Sequence, residues 1–411
     1  MRFVIEFLMS TKPYIESPPE QPVRLRLTAL ERKASMLLAL LFASRMLGLF
    51  LLTPVFAVVA QTLVGGNDPA KVGLALGAYG LTQAVLQIPL GMASDKYGRR
   101  PVIVAGMVLF VLGGIVCAQA SSIEWVTVGR CIQGLGAVSA AISAWVADST
   151  RPEVRTRAMA MVGGSIGISF AVSLVLSPVL VGHFGLSGLF WVISLLGFIC
   201  LLIAAFVVPA APMAQAPINQ VPASAVLRHR DLLRLNLGVF CLHFVLMSLF
   251  IVVPSNLARL GNYDSASLWQ VYLPVILVSF VLMVPAVFYT ETRKCHKQAL
   301  ELAVLLLMLV LAFMPWVANS LAGMIVMLIL FFIAFNILEA LQPSLVSRVA
   351  PPEYKGMALG FYNTTQSLGV FAGGLVGGLL SRYSNSSNVL WLGSILTLVW
   401  LLTARGFKDK Y

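Results

Sequence analysis

The sequence predicts an all-α membrane protein with twelve transmembrane helices in two six-helix halves and both termini cytoplasmic. Three observations carry this. The 411 residues are 59% hydrophobic and only 11% charged, with a mean hydropathy of +0.91, more apolar surface than a water-soluble core absorbs. The apolar residues fall into runs near the ~20 residues that a bilayer core demands. Lysine and arginine collect in alternate gaps between those runs.

Residues 1–32 are expected to form a disordered tail. The apolar run from Met1 to Met9 is interrupted by Glu6 and lacks the small-residue cleavage site of a signal peptide. Pro13, Pro18, Pro19 and Pro22 follow it. Thr28 and Glu31 have the spacing of a capping box that opens the first helix. Twelve apolar runs then lie at roughly 33–61, 70–94, 101–119, 123–148, 155–182, 186–208, 232–259, 266–290, 297–318, 321–348, 355–381 and 387–406. The gaps are short except at 209–231, where Pro209, Pro212, Pro217 and Pro222 precede Arg228-His229-Arg230. That stretch reads as a cytoplasmic linker between an N-terminal bundle at 33–208 and a C-terminal bundle at 232–408.

Placing the tails and the even-numbered gaps in the cytoplasm puts 23 of the 28 lysines and arginines there. Lys71, Arg259 and Arg382 fall in odd gaps, and Arg45 and Arg130 lie inside runs. The net charge of +12 thus reports topology and no nucleic-acid groove, because the bases sit singly or in threes. Cys117, Cys131, Cys200, Cys241 and Cys295 show no paired or metal-ligand spacing, so they read as small core residues and no metal or cofactor is expected. Without a G-x-x-x-x-G-K-[ST] loop, ATP is not the direct energy source.

The two halves repeat. Pro152-Glu153-Val154-Arg155 recurs as Pro352-Glu353-Tyr354-Lys355, and Phe50 and Pro54 recur as Phe250 and Pro254, each after 200 residues. The fifth run carries Ser165, Ser169, Ser173 and Ser177, and the eleventh carries Gly369, Gly373 and Gly377. Small residues on one face let backbones approach closely. They serve static packing or a sliding contact, and their recurrence in both halves favours a moving interface. Repeated halves with a site between them follow the logic of alternating access.

Between the second and third runs lies Pro89-Leu90-Gly91-Met92-Ala93-Ser94-Asp95-Lys96-Tyr97-Gly98-Arg99-Arg100-Pro101, with the spacing G-x-x-x-D-x-x-G-R-R. The second half holds a faded counterpart in Pro285, Glu291, Arg293 and Lys294. The first cluster resembles the helix 2 to 3 signature of the major facilitator superfamily. Arg130-Cys131-Ile132-Gln133-Gly134-Leu135-Gly136-Ala137 is similar to the R-x-x-Q-G-x-G-A of its proton-coupled members. The antiporter signature G-x-x-x-G-P-x-x-G-G is matched at Pro178 and Gly182, while Ser177 replaces the glycine before the proline. Ser44-Arg45-Met46-Leu47-Gly48 and Phe335-Asn336-Ile337-Leu338-Glu339-Ala340-Leu341 look closest to YajR-type bacterial proton-driven efflux proteins. Some of those carry a soluble C-terminal domain; ending at Tyr411, this chain is expected to lack it.

The resemblance implies a secondary transporter in the bacterial inner membrane, with a small-molecule substrate, protons and the lipid bilayer as its partners, no catalytic residues, and a monomeric state. It also implies a cytoplasmic latch made of Gly91, Asp95, Gly98, Arg99, Arg100 and Asp148. Gly91 and Asp95 share a helical face, on which Asp95 would meet the N-terminus of the eleventh helix and Arg99 would pair with Asp95 and Asp148. The plainer alternative is topology signalling by Arg99 and Arg100.

Ionisable groups inside runs are costly and mark function. Here they are Arg45, Arg130, His243 and Glu339. Glu339 is the expected proton carrier, with His243 sharing the work or standing as a hydrogen-bonded structural group. Arg130 balances charge or binds substrate. Tyr79, Gln83 and Gln87 are spaced by four, and Asn336 precedes Glu339 by three; with Arg45 they would line a central cavity, or else join helices. Phe50, Met247, Phe250 and Phe335 could supply apolar lining. The leading expectation is proton-coupled efflux of small apolar or amphipathic compounds. A proton-coupled nutrient importer and a non-transporting membrane sensor are the alternatives.

Overall fold

The computed structural model describes residues 26–136, 138–209, 224–351 and 354–407. The predicted disordered tail up to residue 25 and the linker at 210–223 lie outside them. Among the described residues the regular structure is helical, apart from an isolated bridge between Val64 and Ser122. The main helices are α1 (Ala29–Phe50), α2 (Pro69–Tyr97), α3 (Arg99–Ala118), α4 (Ile123–Leu135), α5 (Ser139–Asp148), α6 (Pro152–Leu202), α7 (Arg230–Gly261), α8 (Trp269–Arg293), α9 (His296–Phe313), α10 (Leu321–Val349), α11 (Lys355–Tyr383) and α12 (Ser386–Ala404).

Their ends follow local chemistry. The capping box at α1 is formed: the Thr28 amide donates to Glu31 Oε2 at 2.8 Å and the Glu31 amide to Thr28 Oγ1 at 3.2 Å. Asp68 accepts from the Ala70 amide at 2.9 Å, with Pro69 at the first helical position of α2. Gly98 has φ +94°, a conformation costly for residues with a Cβ, and it turns the chain between α2 and α3 in a single residue.

Ten helical stretches among the described residues are long and apolar enough to cross a membrane. The structure departs from the predicted runs in two places. The first run divides, α1 ending at Phe50 before a short helix at Phe56–Val59 and a 3-10 turn at Ala60–Thr62. The fourth run breaks after Leu135 into α4 and α5; Gly106 and Gly136 touch there, since a Cβ on Gly106 would come 3.6 Å from the Gly136 backbone. The fifth and sixth runs are separated, as predicted, by a backbone break between 182 and 186: Gly185 has φ 65° and ψ −174° and divides α6 into two arms without a longer loop.

The serine and glycine stripes pack within each set of helices. Ser169 Oγ donates to the Ala43 carbonyl at 2.9 Å and Ser177 Oγ to that of Leu51, so α6 is held on α1. Gly369, Gly373 and Gly377 face Phe240, Phe244 and Ser248 of α7. Both stripes thus make close contacts inside each set and take no part in the contact between the sets. The contact between the α1–α6 set and the α7–α12 set uses other glycines. Gly73, Gly77 and Gly80 of α2 lie on Gly374, Phe371 and Ser367 of α11, and a Cβ on Gly374 would sit 2.6 Å from the Gly73 carbonyl oxygen. Gly378 meets Pro69 and Ala70 in the same way.

Lipid offers helices no hydrophobic reason to associate, so this backbone approach must itself provide the attraction. Gly374→Val is expected to part α2 from α11, at about 1–3 kcal/mol for overpacking. Maleimide labelling of a cysteine placed at Ala70, buried in that seam, should then rise; unchanged labelling would contradict the packing.

Candidate functional site

The signature cluster folds into a compact polar corner. Arg99 enters α3 immediately after Gly98, and its Nε donates to Asp148 Oδ2 at the end of α5 at 2.8 Å. Its Nη1 donates to Ser94 Oγ at 2.7 Å and to Asp95. Arg100 donates to the Val208 carbonyl at 2.6 Å and lies over the Trp145 ring. The expected triad of Asp95, Arg99 and Asp148 is thus assembled. Asp95 does not reach α11, however: its side chain is 64% exposed and paired with Arg99. A Cβ on Gly91 would meet only Ala140, at 3.4 Å.

The second set has its own corner at this end. Arg348, at the end of α10, donates to both oxygens of Glu291, at the end of α8, at 2.9 and 2.7 Å. His296 Nε2 lies 3.4 Å from the same carboxylate. Glu291 was legible as the counterpart of Asp95, whereas Arg348 was overlooked. Its signal was the 200-residue repeat, which aligns it with Asp148 with the charge reversed.

At the opposite end the two sets are tied together. Arg382 Nη1 donates to Asp68 Oδ2 at 2.6 Å, and Tyr272 Oη donates to the Pro54 carbonyl at 3.2 Å. The signature end is splayed, for a Cβ on Gly163, Gly164, Gly167, Gly356 or Gly360 would meet nothing within 4 Å. Sequence reasoning put Arg382 in a gap but found no partner for it, because Asp68 is 314 residues away.

Between these ends lies a cavity of about 20 Å³, room for a single water in this conformation. Met46, Leu49 and Phe50 of α1, Tyr79, Gly80 and Gln83 of α2, His243 of α7, and Gln366, Ser367 and Val370 of α11 line it. Arg45 donates to Gln83 Oε1 at 2.9 Å and to Ser139 Oγ. Arg130 donates to Gln133 Oε1 at 3.0 Å, and its guanidinium lies 4.7 Å from the centre of the Tyr79 ring, on which Arg45 also bears at 5.8 Å. Both arginines are almost wholly buried, and among the described residues no salt bridge involves either of them. A cation at a bilayer centre costs about 2.5–3.5 kcal/mol or more.

On the facing wall, His243 Nδ1 donates to the Val239 carbonyl at 3.1 Å, which leaves Nε2 to accept from Gln366 Nε2 at 2.7 Å. Glu339 Oε2 lies 3.6 Å from that same Nε2 and makes no hydrogen bond. A proton moved to Nε2 would turn this approach into an ion pair. Three of the five predicted polar lining residues sit elsewhere, as do Met247, Phe250 and Phe335 of the apolar ones; Arg45 lies behind Gln83, to which it is hydrogen-bonded. Asn336 donates to Ser279 Oγ of α8 at 3.2 Å, so it joins helices. Gln87 is fully buried with neither amide atom partnered, one turn beyond the lining. Phe170, which was not anticipated, meets Phe50 edge to face at 5.0 Å and lies tilted against Phe335 at 5.5 Å, continuing the apolar wall across both sets.

A cavity between two helical sets, pinned at one end and splayed at the other, suits several transporter folds, and comparison with known proteins decides the family. The Major Facilitator Superfamily model matches residues 38–374. The chain belongs to the major facilitator superfamily. It is 40% identical over 389 residues to the inner membrane transport protein YajR of Escherichia coli K12, covering 93% of this chain and 85% of that one. It is 28% identical over 328 residues to the multidrug resistance protein MdtH of Aeromonas salmonicida, covering 78% and 81%. Among solved structures, a bacterial homolog of the human lysosomal transporter Spinster, inward-facing and occupied, superposes with a TM-score of 0.74 at 13% identity, covering 94% and 99%. The superfamily membership makes the chain a multi-pass transporter and not an enzyme.

Burial separates the two corners of the signature end. The Arg99 side chain is 11% exposed and that of Arg348 37%. Asp148→Ala is expected to cost about 1–3 kcal/mol by leaving Arg99 under-paired, whereas Arg348→Ala should cost about 0–1 kcal/mol. Thermal unfolding in detergent ranks the two, and equal shifts would overturn the ranking.

Proposed function

We propose that the chain is a proton-coupled exporter of small apolar or amphipathic compounds, working by alternating access in the bacterial inner membrane. In this reading α1–α6 and α7–α12 are two six-crossing bundles joined by a cytoplasmic linker, with both termini and the signature end in the cytoplasm. α4 and α5 make one crossing and the two arms of α6 make two, which brings the count to twelve. The single observation that carries it is the cavity itself. Both sets line it, and it is closed at one end by contacts between sets and bordered at the other by contacts within them.

Glu339 and His243 fit the proton-handling role, because one lone pair of Glu339 is buried, unpartnered and within 3.6 Å of a titratable ring. Asp95, Arg99, Arg100 and Asp148 fit the inner gate, which in the alternate state would close as the Asp68–Arg382 tie opens. One elementary charge moving down a 100 mV potential yields about 2.3 kcal/mol. Coupling requires that protonation and substrate favour different gate states. The multidrug-resistance name of one relative supports the outward direction. A proton-coupled nutrient importer is the second reading, which Ser177 favours: its hydroxyl bonds α6 to the Leu51 carbonyl where the antiporter signature has glycine.

In proteoliposomes, a substrate-dependent proton signal should appear and vanish in Glu339→Gln. An undiminished signal removes Glu339 from the mechanism, and no flux of any compound favours a sensor.

A further inference from the structure

Behind the N-terminal wall of the cavity lie two positive charges that no acidic residue among the described ones pairs with. Arg45 and Arg130 both bear on Tyr79, with 0% and 1% of their surface exposed. Their visible partners, Ser139, Gln83 and Gln133, are all neutral. Around them the unpartnered buried atoms are mostly donors: Arg45 Nε, Arg130 Nε, Tyr79 Oη and Gln133 Nε2. Of these residues Tyr79 lines the cavity, as does the Gln83 that Arg45 holds.

Two desolvated guanidiniums and an orphaned phenol hydroxyl make a donor set whose only acceptors among the described residues are neutral. Buried polar groups are left in this state when a ligand completes them. Cationic substrates would be repelled, and neutral ones would leave the charge uncompensated. The apolar remainder of the lining, Met46, Leu49, Phe50 and Val370, suits a hydrocarbon body. We propose that the substrate is an amphipathic organic anion, with its carboxylate or sulfonate directed to Tyr79, Gln83 and the two arginines and its apolar body against α1 and α11.

The proposal names the substrate class of the cavity described above and rests on that cavity being the transport site. It also bears on coupling. Protonating Glu339 removes a negative charge that would repel an anion on the opposite wall, so loading one favours loading the other; co-movement of the two is the importer reading of the same site, and export of an anion requires the opposite dependence.

The test uses the purified full chain with four probes that share one body: naphthalene-2-carboxylate, naphthalene-2-sulfonate, naphthalene-2-carboxamide and 2-naphthylmethylammonium. Calorimetric affinities are expected to be at least tenfold tighter for the two anions than for the amide, and weakest for the cation. Arg45→Gln and Arg130→Gln should erase the preference for anions over the amide. Tyr79→Phe, a smaller change for use if those variants misfold, should weaken the anions alone. Equal affinity across the series, tighter binding of the cation, or a preference unaffected by all three variants overturns the proposal. Flux measurements in liposomes separate it from the transport reading. Anion binding without flux of any probe leaves the anion site standing and sinks transport, while flux of the amide or cation with no anion preference does the reverse.

Discussion

The structure depends on the approach of α2 to α11. A hydrocarbon solvent supplies no hydrophobic force between helices, so two sets of apolar helices have no reason to stay together unless their backbones touch. Gly73, Gly77, Gly374 and Gly378 permit that touch along one end of the seam, and Asp68–Arg382 fastens it. The cavity exists because the approach stops near the middle of both helices. Below Gly80 the α2 face turns polar at Gln83 and Gln87, and above Ser367 the α11 face offers Gln366 in place of a glycine. Where backbone contact ends, the buried polar groups begin.

This arrangement divides labour between the walls. The N-terminal wall carries fixed charge, since guanidinium groups stay protonated at any physiological pH. The C-terminal wall carries the groups whose charge can change, Glu339 and His243, set edge-on to Phe335 at 6.0 Å. Fixed charge thus lies on one side of a small gap and the Glu339–His243 pair on the other.

Much of this was legible in the sequence for a physical reason: crossing a bilayer imposes length, composition and charge asymmetry on each segment, and those survive without knowledge of neighbours. The capping box at Thr28, the triad of Asp95, Arg99 and Asp148, and the buried Arg45, Arg130 and His243 were all readable because each rests on local spacing or on a charge in an apolar run. What escaped was anything set by packing partners. The stripes at Ser165–Ser177 and Gly369–Gly377 announce close packing without saying against which helix, and the structure places them inside each set. The face that meets the other set is one residue further round α11, at Gly374 and Gly378. Asn336 shares a helical face with Glu339 in sequence yet turns to Ser279, and the Asp68–Arg382 tie spans almost the whole chain.

One further consequence follows from α6. Its two arms meet at Gly185 with no polar loop between them, and the residues on either side, Phe184 and Leu186, are apolar. The break at Gly185 therefore frees backbone groups that hydrocarbon cannot satisfy, and these must meet headgroups, water or a neighbouring helix.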